Sequence, residues 1–140
     1  MRRSEGVTLL ELLCVMAIAA LLLALAAPAY QQFMARGRLA EARAALLENN
    51  HYMQRWYAER GVYHQEQPWA WPPLPVTSTQ DFDIAFSTAA PSSDNVEQAS
   101  FLIEARPRAG SHFQGQLLRL DQDGNIRHCR LVDGGEHCEG

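Results

Sequence analysis

There is no lysine in this chain: all 12 of its basic residues are arginine. The Gly-rich phosphate loop of nucleotide-binding enzymes needs a lysine, and no such pattern occurs. Cysteine is scarce, limited to Cys14, Cys129 and Cys138. No Ser/His/Asp constellation stands out for nucleophilic catalysis. Acidic residues number 16, for a formal net charge of −4. A mildly acidic protein does not act by blanket attraction to nucleic acid, although one face can still carry a basic strip. These absences lead us to expect no enzymatic activity, no cofactor and no metal.

What the chain has in plenty is hydrocarbon at its start. From Leu12 to Ala27 no polar side chain is larger than a thiol, and the apolar segment from Val7 to Tyr30 is 24 residues long. A membrane-spanning helix needs about 20. Arg2 and Arg3 precede it, and Glu11 and Pro28 interrupt its composition. A carboxylate in hydrocarbon costs about 2.5–3.5 kcal/mol on insertion scales, so Glu11 requires a reason. A secretory signal peptide fits the basic start and Ala24-Leu25-Ala26 as a small-residue cleavage site. A plain anchor helix also fits. Neither gains anything from Glu11 beyond about 0.3–1 kcal/mol of attraction to the helix dipole.

A third pattern accounts for more. The short basic leader ends in Gly6, Val7 follows, and Thr8-Leu9-Leu10-Glu11 leads into the apolar run. This resembles the prepilin signal of the type IV pilin family, with Pro28 where that family places a helix-kinking proline. The resemblance implies that a prepilin peptidase removes residues 1–6 between Gly6 and Val7 and methylates the new N-terminus at Val7. Residues 7–30 are then retained as a transmembrane and assembly helix. Val7 departs mildly from the usual Phe or Met at that position. In a filament of packed helices, the Val7 ammonium of one subunit can lie against the Glu11 carboxylate of its neighbour. At low effective dielectric that attraction is worth several kcal/mol and sets register.

Without residues 1–6, 10 basic and 15 acidic residues remain. Residues 31–140 are long enough for one head domain with a modest core. Arginines flank the apolar run on both sides, so the positive-inside rule gives no orientation. Cys129 and Cys138 bracket a short Gly-rich stretch and read as a disulfide, which forms in an oxidising compartment. The head is therefore expected in the periplasm before assembly and outside the cell afterwards. Cys14 reads as a small apolar side chain.

Past Pro28 the helix continues amphipathically, with Leu39, Ala42, Leu46, Met53, Trp56 and Tyr57 at three- and four-residue steps. Gly61 suits its C-terminal end. Pro68, Pro72, Pro73 and Pro75 mark residues 62–80 as an irregular loop, with Trp71 expected to bury itself on the core. Four strands follow: Phe82–Ser87, Ser100–Arg106, Gln116–Asp121 and Asn125–Leu131. A three-residue loop with Gly124 in the left-handed conformation aligns Leu120 with Ile126. The expected fold is α+β: a long N-terminal helix packed on a four-stranded antiparallel sheet, ending in a disulfide loop. That is the layout of type IV pilins. The size and the stretch from Asn49 to Pro75 look most like the PilX-type minor pilins.

Residues 121–125 could start a calcium loop, but Val132 occupies the place where a bidentate acid belongs. Cys129, Cys138, His128 and His137 have zinc-ligand chemistry, yet each His adjoins its Cys instead of being spaced to converge. Glu104, Asp81 and Asp83 have no evident partner in the sequence. Arg106, Arg108, Arg119, Arg127 and Arg130 fall on neighbouring strands and could form a DNA-contacting strip, as a pilin resembling ComP would need. The plainer reading is outward strand positions flanked by acids. The resemblance thus implies a minor type IV pilus subunit, drawn from the inner membrane into the filament through an assembly platform. Its head would be displayed for adhesion, aggregation or modulation of the pilus, with other cells or surfaces as partners and DNA not expected. A competence DNA receptor, a major pilin and a type II secretion pseudopilin are the alternatives.

Overall fold

Regular structure begins at Thr8, whose Oγ1 accepts the Glu11 amide N–H at 3.2 Å. That bond satisfies one of the amides that an α-helix leaves unpaired at its first turn. The computed structural model describes residues 6–66, 68–88, 100–132 and 134–139. Residues 1–5 of the leader and the Ser/Pro/Asp/Asn stretch at 89–99 lie outside the described residues. Helix α1 (Leu9–Arg60) takes in Pro28 without ending. The chain divides into two units, Met1–Gly37 and Arg38–Gly140. In the first, Leu9, Leu13, Leu21 and Leu25 are all exposed. This part of the helix is long and apolar enough to cross a membrane.

In the second unit the helix buries one face. Ala42, Leu46, Asn49 and Met53 are fully enclosed and Ala45 and Asn50 nearly so. The apolar spacing correctly located this stripe, except that Tyr57 remains 46% exposed. Gly61, at φ 75°, ends the helix by donating its amide to the Tyr57 carbonyl at 2.7 Å. Only a residue without a Cβ adopts that backbone freely.

The proline-rich loop is not wholly irregular. Strands β1 (Gln65–Glu66) and β2 (Trp69–Ala70) pair antiparallel within it, because none of the four prolines falls at the paired positions. Trp71 is half-buried and stacks on Phe86 with ring centroids 4.9 Å apart, while its indole N–H donates to the Thr88 carbonyl at 2.9 Å. The loop is pinned to the core as expected, though Trp71 is only half-buried.

The main sheet is antiparallel and has five strands in sequence order, not four. They are β3 (Phe82–Phe86), β4 (Leu102–Pro107), β5 (Gln116–Asp121), β6 (Ile126–Val132) and β7 (Gly135–Glu139). The additional strand is the expected disulfide loop: Gly134, at φ 78°, lets the chain turn back so that β7 pairs along β6. Phe82, Ile84, Ile103, Ala105, Leu118 and Leu120 line the buried face. Leu120 does pair with Ile126, across a loop in which Gly124 takes φ 85°. Cys129 and Cys138 are direct cross-strand partners and are joined as a disulfide. At the other edge, the preceding segment covers β3. The Ile84 amide donates to the Thr77 carbonyl and the Thr79 amide to that of Phe82, each at 2.8 Å.

Candidate functional site

Two regions carry the residues that the sequence singles out. At the first, Gly6 and Val7 form an exposed, non-helical lead-in to α1, which is the form an enzyme needs for backbone cleavage. Glu11 is exposed in the first helical turn. Thr8 and Glu11 have the Ser/Thr-x-x-Glu spacing of a capping box, a local signal overlooked when Glu11 is considered only for its charge. In the first turn a carboxylate is favoured by the positive end of the helix dipole, and, exposed, it stays available to a cation outside the chain.

The second region is the outward face of the main sheet. Strand alternation puts Glu104, Arg106, Arg119 and Arg127 on this face, with Glu104 opposite Arg119 and Arg119 opposite Arg127. The Glu104 side chain is only 3% exposed, yet it is ionically satisfied on both oxygens. Arg119 Nε donates to Oε1 at 2.8 Å and Arg106 Nε to Oε2 at 2.9 Å. Arg119 Nη2 also donates to Glu136 Oε1 at 2.9 Å, tying β5 to β7. Burial alone would push the Glu104 carboxyl up. The hydrogen bonds and charges of Arg119 and Arg106 outweigh that and hold it below the usual carboxylate range. The same pairing, with Glu136 added, overcomes the burial of Arg119 and raises its pKa.

Glu104 has partners after all, and so do the other two acids: Asp81 pairs with Arg38 at 3.4 Å and Asp83 with Arg108 at 2.8 Å. Cross-strand alternation could have paired Glu104 with Arg119, but only once the register of β4 and β5 was known. Of the proposed DNA-contacting arginines, Arg106 and Arg119 are thus engaged by carboxylates. Arg130 pairs in register with Gln116 and His137 on the opposite face, although it is exposed.

Arg127 differs. It is exposed, and among the described residues no carboxylate lies within salt-bridge distance of it. It borders a cavity of about 180 Å³ on this face, lined also by Leu102, Arg119, Asp121, Asn125 and Cys138. Asp121, its nearest acidic neighbour there, is committed to the turn. Its Oδ1 accepts the amides of Asp123 at 3.1 Å and Asn125 at 2.9 Å, and its Oδ2 accepts the Asn125 side-chain amide at 3.1 Å. Burial raises the Asp121 pKa, but these bonds from Asn125 and Asp123, with the charge of Arg127, lower it overall. The turn therefore uses the oxygens that a calcium loop would have offered. Cys129, Cys138 and Glu136 cluster closely enough to hold a metal, but the disulfide leaves no thiolate to ligate one.

Comparison with known proteins adds two family matches. Residues 1–27 match the family described as "Prokaryotic N-terminal methylation motif". Residues 28–116 match "Type IV minor pilin ComP, DNA uptake sequence receptor". The chain is also 37% identical over 59 residues to "Fimbrial protein EcpC" of Eikenella corrodens. That alignment covers 42% of this chain and 39% of the relative. No solved structure matches. The ComP match ends where β5 begins, so Arg119, Arg127 and the disulfide all lie beyond it.

Proposed function

Since this chain belongs to the ComP family of type IV minor pilins, we propose that its head is a DNA receptor displayed on a pilus filament. The observation that carries the reading is the ComP match over residues 28–116. Exposed Arg127, on the outward face, supplies the chemistry: a guanidinium fork that meets phosphate oxygens bidentately. The acidic composition, which argued against DNA as a partner, limits the contact to a local patch and predicts steep weakening by salt.

Assembly follows from the first unit. Removal of residues 1–6 frees an ammonium at Val7, and α1 carries the subunit from the inner membrane into the fibre through apolar burial among neighbouring helices. Glu11 supplies a charge for the neighbour's N-terminus. The disulfide supports a head that folds on the oxidising side, in the periplasm first and on the cell exterior later. The head acts by binding and not by catalysis.

The test uses the full chain in neutral detergent micelles with a labelled DNA duplex at low salt, followed by a salt titration. Salt-sensitive binding that weakens when Arg127 is replaced by Gln is the expected result. No binding at low salt would defeat the receptor reading and leave the head as a surface for contact with cells, surfaces or other fibres.

A further inference from the structure

The outward cavity at the β5–β6 end of the sheet carries an inference of its own, which rests on the DNA reading for its biological ligand. We propose that this cavity is a seat for a single phosphate group, with Arg127 as the contacting residue and Arg119 as the positioning one. Three observations point the same way.

First, Arg127 and Arg119 face each other across β5 and β6. Like charges at directly opposed positions destabilise a sheet unless each is met by an anion. Arg119 has two, Glu104 and Glu136. Arg127 forms no salt bridge among the described residues, and the acid that feels its charge, Asp121, is held in the turn. An oxyanion entering the cavity would supply the missing partner.

Second, Asp121 lines the same cavity but does not compete. Two backbone amides and the Asn125 side chain already direct its oxygens into the turn. A carboxylate held in this way leaves the neighbouring guanidinium open.

Third, the walls are cross-linked. Arg119 is fixed at one end by Glu104 and at the other by Glu136, and Cys138 lines the cavity from β7. The cross-strand disulfide holds β7 against β6. A volume near 180 Å³ is room enough for one phosphate group. The seat is complete only while β7 is in place, so its affinity depends on the disulfide.

Two sources share this chemistry, a nucleic-acid backbone and free phosphate, and one experiment separates them. The full chain in neutral detergent is titrated with inorganic phosphate and, separately, with a DNA duplex, while the Arg127 and Asn125 resonances are followed by NMR. Arg127→Gln is compared with Arg55→Gln, which removes the same charge from an exposed helix position. Arg127→Lys tests whether the fork matters beyond the charge. We expect both ligands to shift the cavity resonances. We also expect Arg127→Gln to weaken duplex binding at least tenfold and to lower the salt slope by about one phosphate contact, with Arg55→Gln changing either far less. Reduction of the disulfide should abolish the phosphate shift.

If duplex binds but both variants weaken it equally, the seat is wrong and the DNA reading survives. If phosphate shifts the cavity resonances but duplex does not bind, the seat stands and the DNA reading fails. If phosphate leaves the cavity resonances unmoved, the seat is overturned.

Discussion

Asn49 grips the backbone of Val76 at both of its polar groups: Nδ2 donates to the carbonyl at 2.7 Å, and Oδ1 accepts the amide at 3.0 Å. A fully buried helix side chain thus does for the proline-rich loop what a neighbouring strand does in a sheet. Asn49→Ala leaves a donor and an acceptor short of partners, at about 1–3 kcal/mol. Denaturation of the full chain in micelles, followed by tryptophan fluorescence, measures this. All 3 tryptophans lie in the second unit, so the signal reports on the head. An unchanged midpoint would mean the clamp contributes nothing.

Acid should weaken the head through Glu104 and Asp121. Both carboxyls are held below their ordinary range in the folded protein. Their contribution is therefore complete above the unfolded carboxylate range, near pH 4. It is lost as pH falls through the lower folded values. Glu104→Gln should flatten part of that acid limb and cost about 1–3 kcal/mol at neutral pH. An acid limb identical to that of the parent protein would remove Glu104 from the account.

Opening the Cys129–Cys138 bond should lower stability by about 2–3 kcal/mol for so short a loop. Amide exchange should quicken first in β7, which pairs only with β6. The Arg119–Glu136 pair ties β7 to β5 as well, so Glu136→Ala in the reduced protein should add to the exchange. Equal protection of β7 in the oxidised and reduced proteins would contradict this order.

Glu11 and Thr8 separate helix start from fibre register. Thr8→Ala removes the cap and should cost the helix about 1 kcal/mol while leaving assembly competent. Glu11→Ala should insert into the membrane normally but fail to enter sheared fibres. Immunodetection in fibre and membrane fractions decides the matter, and normal incorporation of Glu11→Ala would refute the register role.

The turn between β5 and β6 has its own requirement. Gly124 has φ 85°, and a Cβ there would come within 3.1 Å of Asn50 Nδ2. Gly124→Ala combines a disfavoured backbone with a tight contact and should destabilise by about 1–2 kcal/mol. A stability equal to the parent's would show that Asn50 yields freely.

What was legible in the sequence was whatever repeats or closes locally. Helical spacing placed Ala42, Leu46 and Met53, and strand alternation placed Ile84, Ile103 and Leu120. Gly124 fixed the Leu120–Ile126 register. The cysteine spacing foretold the bond but not that the chain between would form β7, since Gly-rich residues and charges give no strand pattern. Asn49 and Asn50 were invisible as buried residues, because polar side chains are placed inside only by partners distant in the chain. Glu104 was missed for the same reason: its arginines come into reach only when β4 and β5 align. The covering of β3 by Thr77 and Thr79 likewise depends on the loop's path, which composition does not encode.

That covering bears on how copies can join. With Thr77 and Thr79 on the outer edge of β3, β7 is the open border of the sheet among the described residues, and strand-to-strand pairing between heads through it alone stops at two. An assembly of unlimited length must then be held together by some other surface. The bare aliphatic rod at the amino terminus is the part of the molecule that can repeat along an axis without end.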